Sequence, residues 1–367
     1  MIVFRLALAL LLCAPAAAQI TIYTGDDAEA RLRLSGQFRF SALNDDATDA
    51  ERIGFGVRRA RLQLFADVGD RLGSFVQLEG AGGGLSLVDA LVSYEIADDV
   101  RLRGGRFIGA QPVAYALTPF FRLDAVDRPV IVRQWAARTI GPAGRDFGVE
   151  AVATPGDVEA RLWLHNGDGS WDRLRGNVRD DVGLGDPTRG VETSGLAVSG
   201  AVAWRPSAVP GLDVGGYAGA NSSENPNTAA VAGGPGRSYR SASAHLYWGR
   251  FPGSQPVRLK ADAVVVDYAE NGLDAPSETF GGVALFGAVQ PARGVEVFAQ
   301  GERYSPDIGG DRDVTLATLG ASLSLSALRG GRFETARLTG GYTVRFGDDD
   351  RVGPGADGFV VQLQLIN

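Results

Sequence analysis

The chain has 367 residues, 45% of them hydrophobic and 22% charged, with a formal net charge of -7. One cysteine excludes an internal disulfide, and two histidines leave little material for a metal centre or a histidine-based catalytic site. Basic charge is almost entirely arginine, Lys260 being the only lysine, and the acidic balance points away from nucleic acid as a partner.

The N-terminus carries Arg5, an apolar run from Leu6 to Leu12, and the small-residue stretch Ala14-Pro15-Ala16-Ala17-Ala18 before Gln19. That layout predicts a secretory signal peptide over 1–18, with Ala16 and Ala18 satisfying the small-x-small rule for cleavage. Leu12 ahead of Cys13 argues against a lipid anchor, so the cysteine leaves with the signal. The remaining domain, 19–367, has no apolar stretch long enough for a spanning helix. An exported chain of this kind still enters a membrane if its strands close into a barrel, because closure pairs every backbone group.

From Arg31 to Ala42 the residues Leu32, Leu34, Gly36, Phe38, Phe40 and Ala42 alternate with Arg31, Arg33, Ser35, Gln37, Arg39 and Ser41. A period of two over that length is a strand. The pattern recurs in Val158 to Leu164, Leu196 to Trp204, Ala336 to Phe346 and Phe359 to Leu365, and the full set suggests about sixteen strands, in the range of a water-filled barrel. The apolar phase changes between Val57 and Ala60, so a bulge is expected at Arg58-Arg59.

Connections alternate short and long. Short turns are expected near Gly69 to Arg71, Ala97 to Asp99, Pro155 to Asp157, Pro206 to Gly211, Arg250 to Pro256, Pro291 to Gly294 and Ala327 to Arg332. Longer links lie between them, and the glycine run Gly80 to Gly84 reads as a tight connection rather than a phosphate cradle. The fold class is therefore all-β, a transmembrane antiparallel barrel with short periplasmic turns and long extracellular loops. So large a closed sheet holds more space than its side chains fill, which puts the apolar face outside, with Trp204 and Trp248 at a girdle.

Five stretches carry a resemblance: Phe55 to Leu64 (FGVRRARLQL), Asp89 to Tyr94 (DALVSY), Leu102 to Phe107 (LRGGRF), Gly144 to Val149 (GRDFGV) and His165 to Gly169 (HNGDG). In that order and spacing they resemble the phosphate-selective porins O and P, over about the first half of the chain, with only the architecture shared after Val191. The resemblance implies a homotrimeric outer-membrane porin whose water-filled lumen is narrowed by infolded loops and lined by arginines. Small anionic solutes would diffuse through it, with outer-membrane lipids and lipopolysaccharide around it and no cofactor. The phosphate-binding members place lysines near the constriction and end in an aromatic residue; here the link from Arg106 to Gly144 has no lysine and the chain ends in Asn367. An anion preference is expected without a commitment to phosphate.

The expected anion-attracting residues follow from charge and strand parity. Arg106, Arg122, Arg128, Arg133, Arg138 and Arg145 outnumber Asp124, Asp127 and Asp146 in and beside the third long link. Pro119 and Pro129 make a regular strand there unlikely, so the link is expected to pack against the wall. Parity adds Arg31, Arg33, Arg59, Arg61, Arg101 and Arg103 to the inner face, where low-dielectric walls focus a field. The alternative is a structural girdle in which these arginines pair with Glu79, Asp89, Glu95 and Glu150. The acidic loops around Asp45, Asp46, Asp49 and Glu51, and around Asp348, Asp349, Asp350 and Asp357, read as solvated. Two other functions stay open, a structural or adhesive barrel with a plugged lumen and a barrel enzyme. Against the enzyme stands the lack of any recognisable catalytic motif or metal-ligand spacing around His165 and His245.

Overall fold

The period-two segments build one antiparallel sheet that closes on itself. The computed structural model describes residues 20–45, 50–116, 120–140, 144–167, 196–221, 237–270, 277–308, 313–346 and 357–366. The signal segment, and the acidic residues Asp46, Asp49 and Asp348 to Asp350, lie outside the described residues.

The first half of the chain supplies β1 (Ile20–Thr24), β2 (Ala28–Asp45), β3 (Ala50–Val68), β4 (Leu72–Glu79), β5 (Ser86–Ala97), β6 (Val100–Phe107), β7 (Asp146–Ala153) and β8 (Val158–His165). The second half supplies β9 (Ala197–Trp204), β10 (Leu212–Asn221), β11 (Arg237–Trp248), β12 (Val257–Glu270), β13 (Glu278–Ala292), β14 (Val295–Ser305), β15 (Val314–Ser324), β16 (Ala336–Phe346) and β17 (Asp357–Ile366). Helices α1 (Val113–Ala116) and α2 (Val130–Arg138) lie in the third link, and α3 (Leu325–Leu328) in the last turn.

Each strand from β2 to β17 pairs with its sequence neighbours, and β17 closes the barrel on β2 through pairs such as Leu363 with Phe38. The barrel thus has sixteen strands, as the sequence suggests. The short β1 pairs with β2 at Glu29 to Leu32, just beyond the point where Ile366 of β17 meets Ser35. The first and last strands therefore share one edge of β2 end to end.

Outward residues are apolar and exposed: Leu34, Phe38, Leu285 and Leu319 face away from the lumen, whereas Ser35, Gln37, Gln300 and Thr339 are buried inside. Trp204 and Trp248 are exposed at the turn ends of β9 and β11, where a girdle was expected. All seven expected turns connect the strands at the end nearest the termini. In one of them Gly294 holds a φ of 76°, and a Cβ there would meet the Ser324 carbonyl oxygen at 2.9 Å.

Two features shape the interior. In β3 the ladder pairs Gln37 with Arg59 and Phe38 with Val57, so Arg58 is the extra residue of the expected bulge. The bulge turns Arg58 and Arg59 inward together. The described parts of the third link, 108–116, 120–140 and 144–145, fold into the barrel, and α2 lays Ile131, Val132, Trp135 and Ala136 against Tyr217, Tyr239, Val264, Val266, Phe280 and Tyr304 of the wall. An apolar lumen patch was not expected. It exists because the link fills that side of the barrel, so those inward side chains meet protein instead of water.

Candidate functional site

The third link is pinned by polar contacts at almost every turn of its course. Asp124 accepts from Arg258 at 2.5 Å and from Lys260 at 2.7 Å, and Arg258 also holds Glu296 at 2.6 Å. Arg39 grips both Asp127 oxygens at 2.9 and 3.0 Å, and Arg122 reaches Glu334 at 3.1 Å. Gln37 and Gln364 donate to the carbonyls of Phe120 and Phe121 at 3.3 and 2.9 Å. Glu302 accepts from the backbone N–H groups of Val130 and Ile131, which places a carboxylate at the positive end of α2. Trp135 Nε1 closes the set on Ser241 Oγ at 3.3 Å.

Burial alone would raise the carboxyls of Asp124 and Asp127. Lys260 and Arg258 nevertheless hold Asp124 below the ordinary carboxylate range, and Arg39, with Arg133 and Arg58, holds Asp127 well below it. Both anchors are ionised at neutral pH.

What the link leaves open is cationic. A cavity of about 1060 Å³ runs along the β3 to β8 wall, from Gly82 in the second link to Glu159 and Arg250 at the turn end. Its lining holds nine arginines against four carboxylates, Glu79, Asp89, Asp127 and Glu159. A second space of about 330 Å³ lies on the loop side, against β14 to β17. Arg58, Asp127, Arg128 and Arg133 line both spaces, so this quartet stands where the two come together. Arg133 has no hydrogen-bond or ion-pair partner for its guanidinium among the described residues, and Arg58 approaches only Asp127, at 3.8 Å.

Of the ten arginines expected at the pore, Arg59, Arg61, Arg103, Arg128, Arg133 and Arg145 line the larger cavity. The other four do not, each for a visible reason. Arg101 sits exposed at the turn end beside Glu95 at 3.5 Å, and Arg106 is buried against the carbonyls of Leu87 and Val88 at 2.6 and 2.9 Å. Arg122 is held by Glu334, and Arg138 lies over the rings of Tyr268 and Phe280 at 5.2 and 4.9 Å. The girdle alternative also has substance: Arg61 pairs with Glu79 at 2.7 Å, Arg145 with Asp89 at 3.0 Å, and Arg103 Nε with Glu150 at 2.7 Å. Paired and unpaired arginines share one wall.

Three cavity arginines escaped the sequence reading. Arg58 was visible only as half of the bulge, Arg161 lies in the inward phase of β8, and Arg250 reaches in from a turn. A further constellation was missed altogether. His165 Nδ1 meets Asp146 Oδ2 at 2.9 Å, and its Nε2 meets Ser199 Oγ at 2.9 Å, the spacings of a Ser-His-Asp relay. Its members come from three strands, so no local motif announces it. The trio is sealed: the His165 and Asp146 side chains are 0% and 3% exposed, Ser199 is buried, and Trp163 stacks on the imidazole at 3.9 Å. With the Gly167 N–H also on Asp146, at 2.5 Å, it ties β7, β8 and the start of the fourth link together.

No protein-family profile and no curated protein matches the chain. Solved structures do. The chain is similar to an anion-selective porin from Comamonas acidovorans, at 17% identity over 93% of this chain and 99% of that one, with a TM-score of 0.66. It is similar to the outer membrane channel DcaP of Acinetobacter baumannii, at 12% identity over 95% and 100%, with a TM-score of 0.62. The in-vitro folded OmpT of Vibrio cholerae in its trimer form aligns at 11% identity over 93% and 100%, with a TM-score of 0.58. At these identities the likeness is one of fold: the chain has the sixteen-stranded barrel of the outer-membrane porins.

Proposed function

We propose that the chain is an outer-membrane porin, exported by a signal over 1–18 that is cleaved to leave 19–367, and that it passes small solutes passively with a preference for anions. The reading rests on one observation: the open part of the lumen is lined by nine arginines and four carboxylates in a protein whose net charge is -7. Inside low-dielectric walls that excess raises the local anion concentration. The name of the Comamonas structure and the resemblance of the arginine-rich segments to those of the phosphate-selective porins support it. The lysine of the lumen, Lys260, is committed to Asp124 and offers no ammonium to a phosphate. A trimer surrounded by outer-membrane lipid and lipopolysaccharide fits the exposed apolar wall. Ser199, sealed with His165 beneath Trp163, is closed to a substrate carbonyl.

The test is the zero-current potential of the protein in a planar bilayer across a KCl gradient. A potential of the sign set by chloride is expected; absence of channels would favour the plugged barrel, and a potassium sign would remove the anion preference. Membrane insertion has its own check at Leu319, which lies at mid-strand on β15 and is 68% exposed. Leu319→Arg should lower unfolding stability in lipid by about 2 to 4 kcal/mol, whereas Thr318→Arg, on the lumen side, should stay within about 1 kcal/mol. Equal costs would mean that the outer face does not meet hydrocarbon.

A further inference from the structure

A second cationic feature lies on the turn side of the Arg58, Arg128 and Arg133 passage. Arg33 of β2 points into the lumen, its guanidinium carbon 5.0 Å from the centre of the Phe65 ring and 6.0 Å from that of Phe121. It forms no hydrogen bond or ion pair among the described residues, and its Nε is buried without an acceptor. This sets it apart from Arg61, Arg103 and Arg145, each of which has a carboxylate. Phe65 touches Phe75 of β4 at 4.9 Å between ring centres, and Phe75 faces Leu91 across the next ladder.

The inner wall therefore carries an apolar row, Phe65, Phe75 and Leu91, across three adjacent strands, with an unclaimed guanidinium at one end. Phe75, Leu91 and Phe121 line the large cavity directly. Inward positions of a water-filled barrel are normally polar, and apolar area left in water forgoes about 25 cal/mol per Å² of burial. Phe75 and Leu91 turn apolar surface to the cavity, Leu91 packing also on the core cluster that α2 completes, while Phe65 and Arg33 stand beside the lining at the β2 end of the row.

The geometry points to a binding station for planar organic carboxylates, aromatic ones foremost, and the inference rests on the reading of the lumen as an anion-preferring passage. A guanidinium that lies over Phe65 and near Phe121 with its Nε buried still offers its two terminal amino groups, a fork that a carboxylate accepts in bidentate fashion. The solute's ring lies along Phe65 and Phe75, the rings next in line from Arg33, contributing buried area that acetate or phosphate cannot offer. A cavity of this size suits a molecule rather than a bare ion, ligand sites commonly spanning about 300 to 1000 Å³.

The test is block of single-channel KCl current by benzoate, acetate and inorganic phosphate, each added to the side facing the turns. Benzoate should half-block wild type at a concentration roughly ten-fold below acetate or phosphate, equivalent to about 1.4 kcal/mol. Arg33→Gln should weaken block by benzoate and acetate together. Phe75→Ser should bring the benzoate-to-acetate ratio near one while acetate block persists, and that persistence shows the variant channel is folded. An anion-selective channel that treats the three anions alike overturns the station. So does a Phe75→Ser channel that keeps the wild-type ratio. A channel that discriminates benzoate but has no anion preference in KCl overturns the broader reading and leaves the station standing.

Discussion

Replacing Arg58, Arg128 and Arg133 together by glutamate should carry the zero-current potential of the channel from the chloride side toward the potassium side in dilute KCl. These three residues line both the larger cavity and the loop-side space, so a solute crossing between the two passes them. The exchange leaves six arginines and seven carboxylates in the lining of the larger cavity, which reverses the sign of its excess. At 0.01 M salt the Debye length is about 30 Å, comparable to the lumen, and the altered field reaches across the passage; at 1 M it falls to about 3 Å and the variants should converge. Glutamates at 58 and 133 also crowd Asp127, whose carboxyl the arginines now hold low. Arg39 still grips that carboxylate from the wall, so the link should stay docked. A triple variant that conducts with the wild-type potential in dilute salt would show that the ion path avoids the third link. Arg101→Glu provides the contrast. Its side chain is exposed at the turn end and lines neither cavity, so its effect on the potential should be small.

The barrel itself was legible because its physical rule is local. Alternation of apolar and polar residues sets each strand and its faces, and the turn residues set each boundary, so the sixteen strands and the seven turns follow from short windows. The bulge at Arg58 was legible for the same reason, as a slip in phase between Val57 and Ala60. The lumen was legible only in part, because what fills it is a matter of distant pairing. Arg138 sits in the basic link and Arg106 in the strand that leads into it, yet Arg106 is absorbed by strand carbonyls and Arg138 by aromatic rings contributed by residues more than a hundred positions away. Helix α2 was hidden by Pro129 and by the run Val130-Ile131-Val132, whose β-branched residues suit a strand in isolation. It forms because the apolar wall of β10 to β14 takes one of its faces and Glu302 satisfies its first N–H groups. The relay of Asp146, His165 and Ser199 was invisible, since only the ladders of β7, β8 and β9 bring its members together.

Loss of the Asp124 carboxylate should release the third link and change the channel more than loss of any single arginine of the lining. Asp124 is the shared acceptor of Arg258, whose side chain is 0% exposed, and Lys260, at 4%. Removing one member of a buried ion pair commonly costs about 3 to 5 kcal/mol, because the charge left behind stays desolvated. Arg258 keeps Glu296 in Asp124→Ala, whereas Lys260 keeps only the Arg250 carbonyl and loses its carboxylate, so Lys260→Met in the same chain should restore most of the loss. The single variant should show larger and noisier open-channel current, as the segment from Phe120 to Asp127 leaves the wall. The same anchor predicts a pH dependence. The folded carboxyl titrates below its unfolded value, so its contribution is complete above the ordinary carboxylate range and disappears as pH falls through the depressed folded value. Asp124→Asn lacks that titration. The temperature at which the barrel unfolds in detergent should therefore drop further for wild type than for Asp124→Asn between neutral pH and strongly acid pH. Subtracting the two cancels Asp127, which titrates in both. Parallel pH curves, together with quiet channels from Asp124→Ala, would show that the apolar contacts of Ile131 and Trp135 hold the link without the salt bridge.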